Sequence, residues 1–318
     1  MTDNEELHVV FGTGPVGMAV MDVLIRRGPR RVRMVNRTGR AHVSDGVEVV
    51  GGDATDEVFA REASKGASVV YFALNPPYNK WPELFPPLQA GVLEGAASVG
   101  AKLIAIENLY MYGPTEGRPL TEDLPHAPNT RKGAIRARMS EKLMEAHTSG
   151  KVRVAIGRAS DYFGPRVLAS AAGEQVFGRA VEGKSAQLAG DPDQPHTYTY
   201  APDIGKGLVV LAEREEALGQ TWHLPSPKTL TTREFVEMIF QEVGKPARVQ
   251  AAPKILLRAI GLFNPGIRET IEMLYEFEEP FVVDDSKFER EFGEQATPLR
   301  EAIQRTVRWY REERPAGT

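Results

Sequence analysis

Gly12, Gly14 and Gly17 are spaced G-x-G-x-x-G, directly after the apolar run His8-Val9-Val10-Phe11. In a chain with 30 glycines the spacing alone is weak, and its surroundings decide what it means. The apolar run reads as a short buried strand. Val16 to Arg27 reads as a helix, because Val16, Val20, Val23 and Leu24 recur at helical spacing and Gly28 stands just past the end. In a strand–turn–helix, Gly12 permits the tight turn, Gly14 a close approach of backbone to a pyrophosphate, and Gly17 tight helix-on-strand packing. Thr13, Pro15 and Val16 complete the turn. Pro15 falls where a helix start tolerates proline, and the helix N-terminus turns its N–H groups to the phosphates.

A second group of residues bears on which dinucleotide is held. Arg31-Val32-Arg33-Met34-Val35 reads as a strand ending at Asn36 and Arg37, with Arg40 three residues on. An acidic residue at this strand end would bind a ribose 2′-OH and favour NAD. A neutral Asn36 followed by two guanidinium groups suits a 2′-phosphate instead, so the reading is NADP, with NAD as the alternative. The plain competitor is a solvated basic loop. Val47 to Val50 is a third strand, closing at Gly51-Gly52-Asp53-Ala54-Thr55-Asp56. Asp53, with Ala54 beside it, is placed to receive the adenine amino group, and Asp56 to cap the next helix. Ala67 to Leu74 is a fourth strand; Ala73 and Leu74 end it and Asn75 follows, where a cofactor passes in an open α/β sheet.

The elements that must position these residues alternate strictly for the first half of the chain. A helix from Leu84 to Ser98 is followed by a strand from Lys102 to Ile106, a helix from about Ala134 to Thr148 and a strand from Val152 to Ile156. This pattern predicts a Rossmann-type α/β fold, a doubly wound parallel sheet. Beyond it the regularity breaks. Residues 165 to 200 are rich in Gly, Pro and Asp and hold a helix near Gly173 to Glu182. Asp203 to Arg214 is helical and Thr221 to Leu224 a short strand. Thr231 to Val243 is a helix capped by Thr231 or Thr232, and Leu256 to Phe263, Ile267 to Phe277 and Leu299 to Arg311 are further helices. The expected division is a dinucleotide-binding domain over 1–164, rejoined by 196–226. A smaller, mostly helical C-terminal lobe over 165–195 and 227–318 would hold substrate at the sheet's carboxyl edge.

Composition narrows the function classes. The 318 residues carry a net charge of −4, which points away from nucleic acid and anionic membranes. No apolar run reaches the length of a membrane span, and the acidic start, Met1 to Glu6, is unlike a signal peptide. With no cysteine the chain forms no disulfide and no thiolate metal site, and the six scattered histidines speak against zinc. A cytoplasmic location, no metal, a small-molecule substrate, and a second copy of the chain as an open option are the expectations.

At this point the sequence resembles the extended short-chain dehydrogenase/reductase superfamily, the NAD-dependent epimerase/dehydratase family, from about residue 8 to 313. The turn at Gly12–Gly17 resembles its phosphate loop, with Phe11 where a further glycine is usual. Gly51-Gly52-Asp53 is similar to its adenine-binding G-D, and Met111-Tyr112-Gly113-Pro114 to its V-Y-G signature. Thr121-Glu122-Asp123-Leu124-Pro125 is similar to its t-E-x-x-P, and Arg158-Ala159-Ser160-Asp161-Tyr162-Phe163-Gly164-Pro165 to its R-x-x-N-x-x-G-P. His196 to Asp203 resembles its segment re-entering the sheet, and Thr231 to Phe235 its t-x-x-E-h.

The resemblance implies a catalytic Tyr-x-x-x-Lys and a Ser or Thr four residues before the V-Y-G tyrosine. All three are replaced. Asn108 stands four before Tyr112, Lys132 falls at the tyrosine position and Arg136 at the lysine position, and no tyrosine lies between Tyr112 and Tyr162. In a rebuilt site Tyr110 or Tyr112 supplies the hydroxyl, and Lys132, also a candidate for cofactor contact, activates it or itself acts as a desolvated acid. Arg136 replaces the ribose-holding lysine as a fixed charge that exchanges no proton, and Asn108 bonds a carbonyl oxygen. Tyr110 would then project from a strand edge. The competing readings are a silent NADP-binding sensor or scaffold, and two packing tyrosines beside a solvated helix start. Tyr78, Trp81, Tyr112, Asp161 and His196 are the candidates for substrate contact. For Asp161 a structural bond to Arg158 is the equal alternative, and for Tyr78 and Trp81 it is cover for the sheet. The expected function is hydride transfer between a nicotinamide and a carbonyl or alcohol carbon of a small organic substrate, at a non-standard site.

Overall fold

The computed structural model describes residues 6–28, 30–252 and 271–314. The apolar runs of the first half form strands because they can be buried on both faces. Strand β1 (Leu7–Phe11) is buried at every position, and β4 (Ala67–Phe72), β5 (Lys102–Glu107) and β6 (Arg153–Arg158) nearly so. Such strands suit a parallel sheet covered by helices. With β2 (Arg31–Asn36), β3 (Glu48–Gly51) and β11 (Thr221–His223) they pair in parallel, in the order β11-β6-β5-β4-β1-β2-β3. The order reverses between β1 and β4. Open α/β sheets bind ligands at such a switch point, outside the carboxyl ends of the strands.

The connecting helices are α1 (Pro15–Arg26), α2 (Glu57–Ser64), α3 (Trp81–Val99), α4 (Arg131–Thr148) and, later, α6 (Ala201–Glu213). Asp56 caps α2 as expected, its carboxylate accepting the Val58 N–H. Contacts group the chain into two units. The first comprises Met1–Asn108, Ala134–Arg158 and Ile204–Leu224, and the second Leu109–Gly133, Ala159–Asp203 and Pro225–Thr318. The boundary therefore falls earlier than the residue 164 expected from the sequence, and the stretch 109–133 goes with the second unit.

The second unit has its own core, in which Phe163, Phe177, Tyr198, Phe235, Phe240 and Tyr310 are all buried. Helix α7 (Thr232–Val243) carries a complete capping box, Thr231 with Glu234, and faces α8 (Leu299–Glu312). Among the described residues three two-stranded ribbons accompany this core. They pair β7 (Asp161–Phe163) with β10 (Tyr198–Tyr200), β9 (Pro195–His196) with β12 (Leu230–Thr231), and β8 (Ala186–Ala189) with β13 (Val249–Ala252). The segment from His196 does not re-enter the large sheet as the resemblance implied. It pairs with β7 and β12, and the large sheet regains the chain only at β11. The helix expected over Gly173 to Glu182 is a wide π turn, Gly173–Gly178, followed by the short α5 (Arg179–Glu182). The helix expected over 256–263 lies outside the described residues. So does the start of the one expected over 267–277, of which Leu274–Phe277 forms a 3₁₀ turn.

Candidate functional site

In the first unit the glycine turn is built for a close-approaching ligand. Gly12 has φ +122°, and a Cβ there would lie 2.4 Å from the Ala73 carbonyl oxygen. A Cβ on Gly17 would stand 2.0 Å from the Gly12 carbonyl oxygen, so helix and turn are in backbone contact. A Cβ on Gly14 meets nothing within 4 Å. Pro15 is at the first helical position, no side chain caps α1, and its first turn has no acidic residue. The N–H groups of a helix's first turn carry a partial positive charge, and the residues present fit a dinucleotide pyrophosphate. The chain after β4 closes the other side, the Ala73 N–H donating to the Phe11 carbonyl at 2.9 Å. Leu74 is half-buried and Asn75 exposed beyond it.

The loop after β2 is organised by Asn36. Its amide donates to Thr13 Oγ1 at 3.0 Å and to the Arg40 carbonyl at 2.9 Å. Its carbonyl accepts from the Thr38 N–H, Thr38 Oγ1 and the Gly39 N–H. Every N–H of the amide is thereby used on the protein, so Asn36 shapes the loop, while Arg37 and Arg40 stand exposed. Asp53 is exposed and accepts from the Thr55 N–H and hydroxyl at 2.9 and 2.8 Å. These two bonds hold its carboxyl below the usual carboxylate range. Ala54 is buried, and its carbonyl oxygen would lie 1.9 Å from a Cβ on Gly91 of α3, which fixes the loop after β3.

Asn108 and Arg136 come together in this unit, Arg136 Nε donating to Asn108 Oδ1 at 3.3 Å. Arg136 is 2% exposed, donates to the Ile106 carbonyl at 3.3 Å, and lies over the Phe85 ring at 4.7 Å. Below it is a buried ion cluster. The register of β5 on β6 sets Glu107 opposite Arg158, with Arg158 Nε 3.1 Å from Glu107 Oε2 and Arg136 Nη2 4.0 Å from Oε1. Arg158 also donates to Ser140 Oγ at 2.8 Å. One carboxylate thus sits between two buried guanidinium groups.

The remaining candidates are in the second unit, apart from Tyr78 and Trp81. Tyr110 does not extend from a strand edge as expected, because β5 stops at Glu107 and Tyr110–Tyr112 form a 3₁₀ turn. Gly133 is required behind that turn, since a Cβ there would lie 2.6 Å from the Tyr110 carbonyl oxygen. Tyr112 is buried edge-on to His126. Lys132 is fully buried and its ammonium meets Glu272 Oε1 at 2.9 Å. The solvated helix start is therefore ruled out, since both cations are inside. Asp161 bonds His196 at 3.0 Å, whereas Arg158 is committed to Glu107 and Ser140. Tyr78 and Trp81 pack edge-on at 5.0 Å; Trp81 is buried against Phe85, and its indole N–H donates to the Pro76 carbonyl.

Comparison with known proteins bears on the turn and the sheet together. The model of the NAD dependent epimerase/dehydratase family matches residues 9–224. The chain belongs to that family. A curated relative, a dTDP-glucose 4,6-dehydratase of Streptomyces griseus, is 23% identical over 239 residues, 73% of this chain and 66% of the relative, just under two thirds of its length. An epimerase from the methanogen Methanothermobacter thermautotrophicus has the same fold at TM-score 0.81 and 19% identity, with 97% of this chain and 93% of that one covered. A UDP-glucuronic acid 4-epimerase of Bacillus cereus, solved in complex with NAD, matches at TM-score 0.77 and 16% identity over 96% and 99% of the two chains. Membership of this family goes with a nicotinamide dinucleotide at the Gly12–Gly17 turn. No helix among the described residues is long and apolar enough to cross a membrane.

Several residues around this family site were not singled out from the sequence. Glu107 carried a signal: it ends an apolar strand with a charge opposite to that of Arg158, and neighbouring parallel strands in register bring such ends together. Glu272 and Glu276 carried none, being far along the chain from Lys132 and His196, which they contact.

Proposed function

We propose that the protein transfers hydride between an NADP nicotinamide and a carbonyl or alcohol carbon of a small organic substrate, at a site where the usual Tyr-x-x-x-Lys pair is replaced. The observation that carries the reading is the burial of Lys132 and Arg136, at 0% and 2% exposure, in the positions that motif would occupy. Cations on a solvated helix start have no need of partners. These two are held by Glu272 and by Asn108 and Ile106, a fixed arrangement that costs desolvation and calls for a purpose. When bound, the nicotinamide supplies or takes up the hydride. The chain's part is to cradle the pyrophosphate at Gly12–Gly17, to hold the 2′-phosphate with Arg37 and Arg40, and to bond the reacting oxygen through the Tyr110 hydroxyl in the field of Lys132.

The test is nicotinamide absorbance and product chromatography with NADPH or NADP⁺ over a panel of carbonyl compounds, UDP-glucuronic acid and dTDP-glucose. Tyr110→Phe and Lys132→Ala are expected to lower turnover by about 10²-fold or more. Full turnover in both variants would rule out the rebuilt site. Tight NADPH binding with no turnover of any compound would favour a sensor. Arg37→Asp should shift affinity from NADPH toward NADH, and an equal change for both would remove the 2′-phosphate assignment.

A further inference from the structure

His196 is buried in β9 with both ring nitrogens bonded. Nδ1 lies 3.0 Å from the Glu276 backbone carbonyl oxygen and Nε2 3.0 Å from Asp161 Oδ2. A carbonyl oxygen only accepts, so Nδ1 carries the hydrogen of that bond. In a neutral imidazole Nε2 is then a bare acceptor, and an ionised carboxylate is an acceptor as well. Two acceptors do not form a bond of this length. A proton must lie between them, on Nε2 or on the Asp161 carboxyl, and in either form the pair carries no net charge.

The surroundings hold this arrangement in place. The imidazole is stacked on Phe277 at 4.7 Å and on Phe281 at 5.2 Å, so it cannot turn without opening the stack. The titratable groups facing the pair are Tyr162 beside Asp161, Tyr198 beside His196, and the Glu276 carboxyl. Burial pushes all three toward their neutral forms. The pair also has one open end. The His196 side chain is 1% exposed and that of Asp161 is 19% exposed. In sequence Asp161 stands three residues past the carboxyl end of β6, at a position that the family resemblance implies for substrate contact.

Resting on the hydride-transfer reading above, we propose that Asp161, backed by His196, donates a proton to the substrate oxygen and takes it back. Arg136 exchanges no proton and Lys132 is bonded to Glu272, so Asp161 would supply the proton that the Tyr110 hydroxyl, bonded to the reacting oxygen, need not give up. In the direction of carbonyl reduction the carboxyl O–H bond breaks and an O–H bond forms on the substrate oxygen. The electron pair stays on Asp161, while the hydride at the carbon is the cofactor's. If the proton rests on Nε2, it crosses to Asp161 as the carboxyl proton leaves. Afterwards two acceptors face each other, an arrangement that draws the proton back and makes the pair a base for the reverse direction. Asp161 is the catalytic residue here and His196 its positioning residue.

Two measurements test this on the full chain. NMR at pH 7 with ¹⁵N-histidine and ¹³C-aspartate labels reads the pair directly, with His196→Gln and Asp161→Asn giving the assignments. A proton on Nε2 or on the Asp161 carboxyl is expected; a bare Nε2 beside an ionised Asp161 overturns the proposal. The second is Asp161→Asn, whose amide N–H donates to a bare Nε2 and keeps the bond without an exchangeable acid. With the compound from the panel above that the wild type turns over, turnover should fall about 10²–10⁴-fold, with NADPH affinity and thermal midpoint unchanged. A merely structural bond predicts no loss, and undiminished turnover overturns the proposal alone. A wild type inactive on every compound counts against the hydride-transfer reading and, with no oxygen to serve, against the proposal with it.

Discussion

Replacing Glu107 by Gln tests whether the buried cluster at the ends of β5 and β6 is held by charge. The carboxylate is 3% exposed, 3.1 Å from one guanidinium and 4.0 Å from another. At an effective dielectric of about 20 these separations correspond to attractions of about 5 and about 4 kcal/mol, before desolvation is subtracted. Gln keeps the shape and removes the charge that faces both Arg158 and Arg136. Breaking one side of a buried pair costs about 3–5 kcal/mol, and that is the expected loss of unfolding free energy. Urea unfolding followed by far-ultraviolet circular dichroism and by tryptophan fluorescence measures it, since Trp222 lies in β11, next to β6. Arg158→Met alone should cost a similar amount. The double variant Glu107→Leu with Arg158→Met should regain part of it, because the 3.1 Å pair leaves together while Arg136 still loses its 4.0 Å neighbour. A loss under about 1 kcal/mol for Glu107→Gln, or a double variant costing the sum of the singles, would show that packing and not charge holds the cluster.

Other outcomes follow from single positions. Gly14→Ala should leave folding stability within about 0.5 kcal/mol, because its Cβ meets open space at an ordinary φ of −75°, yet weaken NADPH binding in a fluorescence titration. Gly17→Ala should lower both, its Cβ falling 2.0 Å from a backbone oxygen; the opposite pattern would refute the cradle. Glu276 lends itself to a pH experiment. Burial, with the nearby Asp161 carboxylate adding, raises its folded-state pKa well above 4.5. Above pH 4.5 the unfolded chain gives up this proton while the folded chain keeps it. Its contribution to stability is therefore full at low pH and declines as pH rises through the folded value, by up to about 1.4 kcal/mol per pH unit. Glu276→Gln removes that decline, so its stability relative to wild type should climb from pH 5 to 7; parallel curves would contradict the assignment.

The large sheet was legible because its signals are local. An unbroken apolar run is the pattern of a strand buried on both faces, and the glycine turn, the Asp56 cap and the Thr231–Glu234 box each lie within six residues of sequence. The second unit was not, because its parts are held by distant partners. Pro195–His196 is a two-residue strand that exists through pairing with Leu230–Thr231, which no local periodicity announces. Tyr110 was placed at a strand edge by its position two residues before Tyr112 in the family motif, and the 3₁₀ turn that holds it depends on Gly133 giving the Tyr110 carbonyl room. Lys132 and Arg136 were found by register against a family motif, while their partners divide in kind. Asn108 was in view from the same motif, whereas Glu272 is joined to Lys132 only by the fold.

The alternation of the two units along the chain has a consequence for how the protein is made. The chain leaves the first unit after Asn108, returns at Ala134, leaves after Arg158, returns at Ile204 and leaves for good after Leu224. A ribosome therefore delivers six strands of the sheet and then a long stretch of the other unit before β11 emerges to cover the exposed edge of β6. During that interval the β6 edge, with Arg158 at its end, is open to any strand-like segment nearby. Neither unit can be obtained by a single cut, and a nascent chain stalled before Thr221 would present an unpaired edge to chaperones and to other nascent chains.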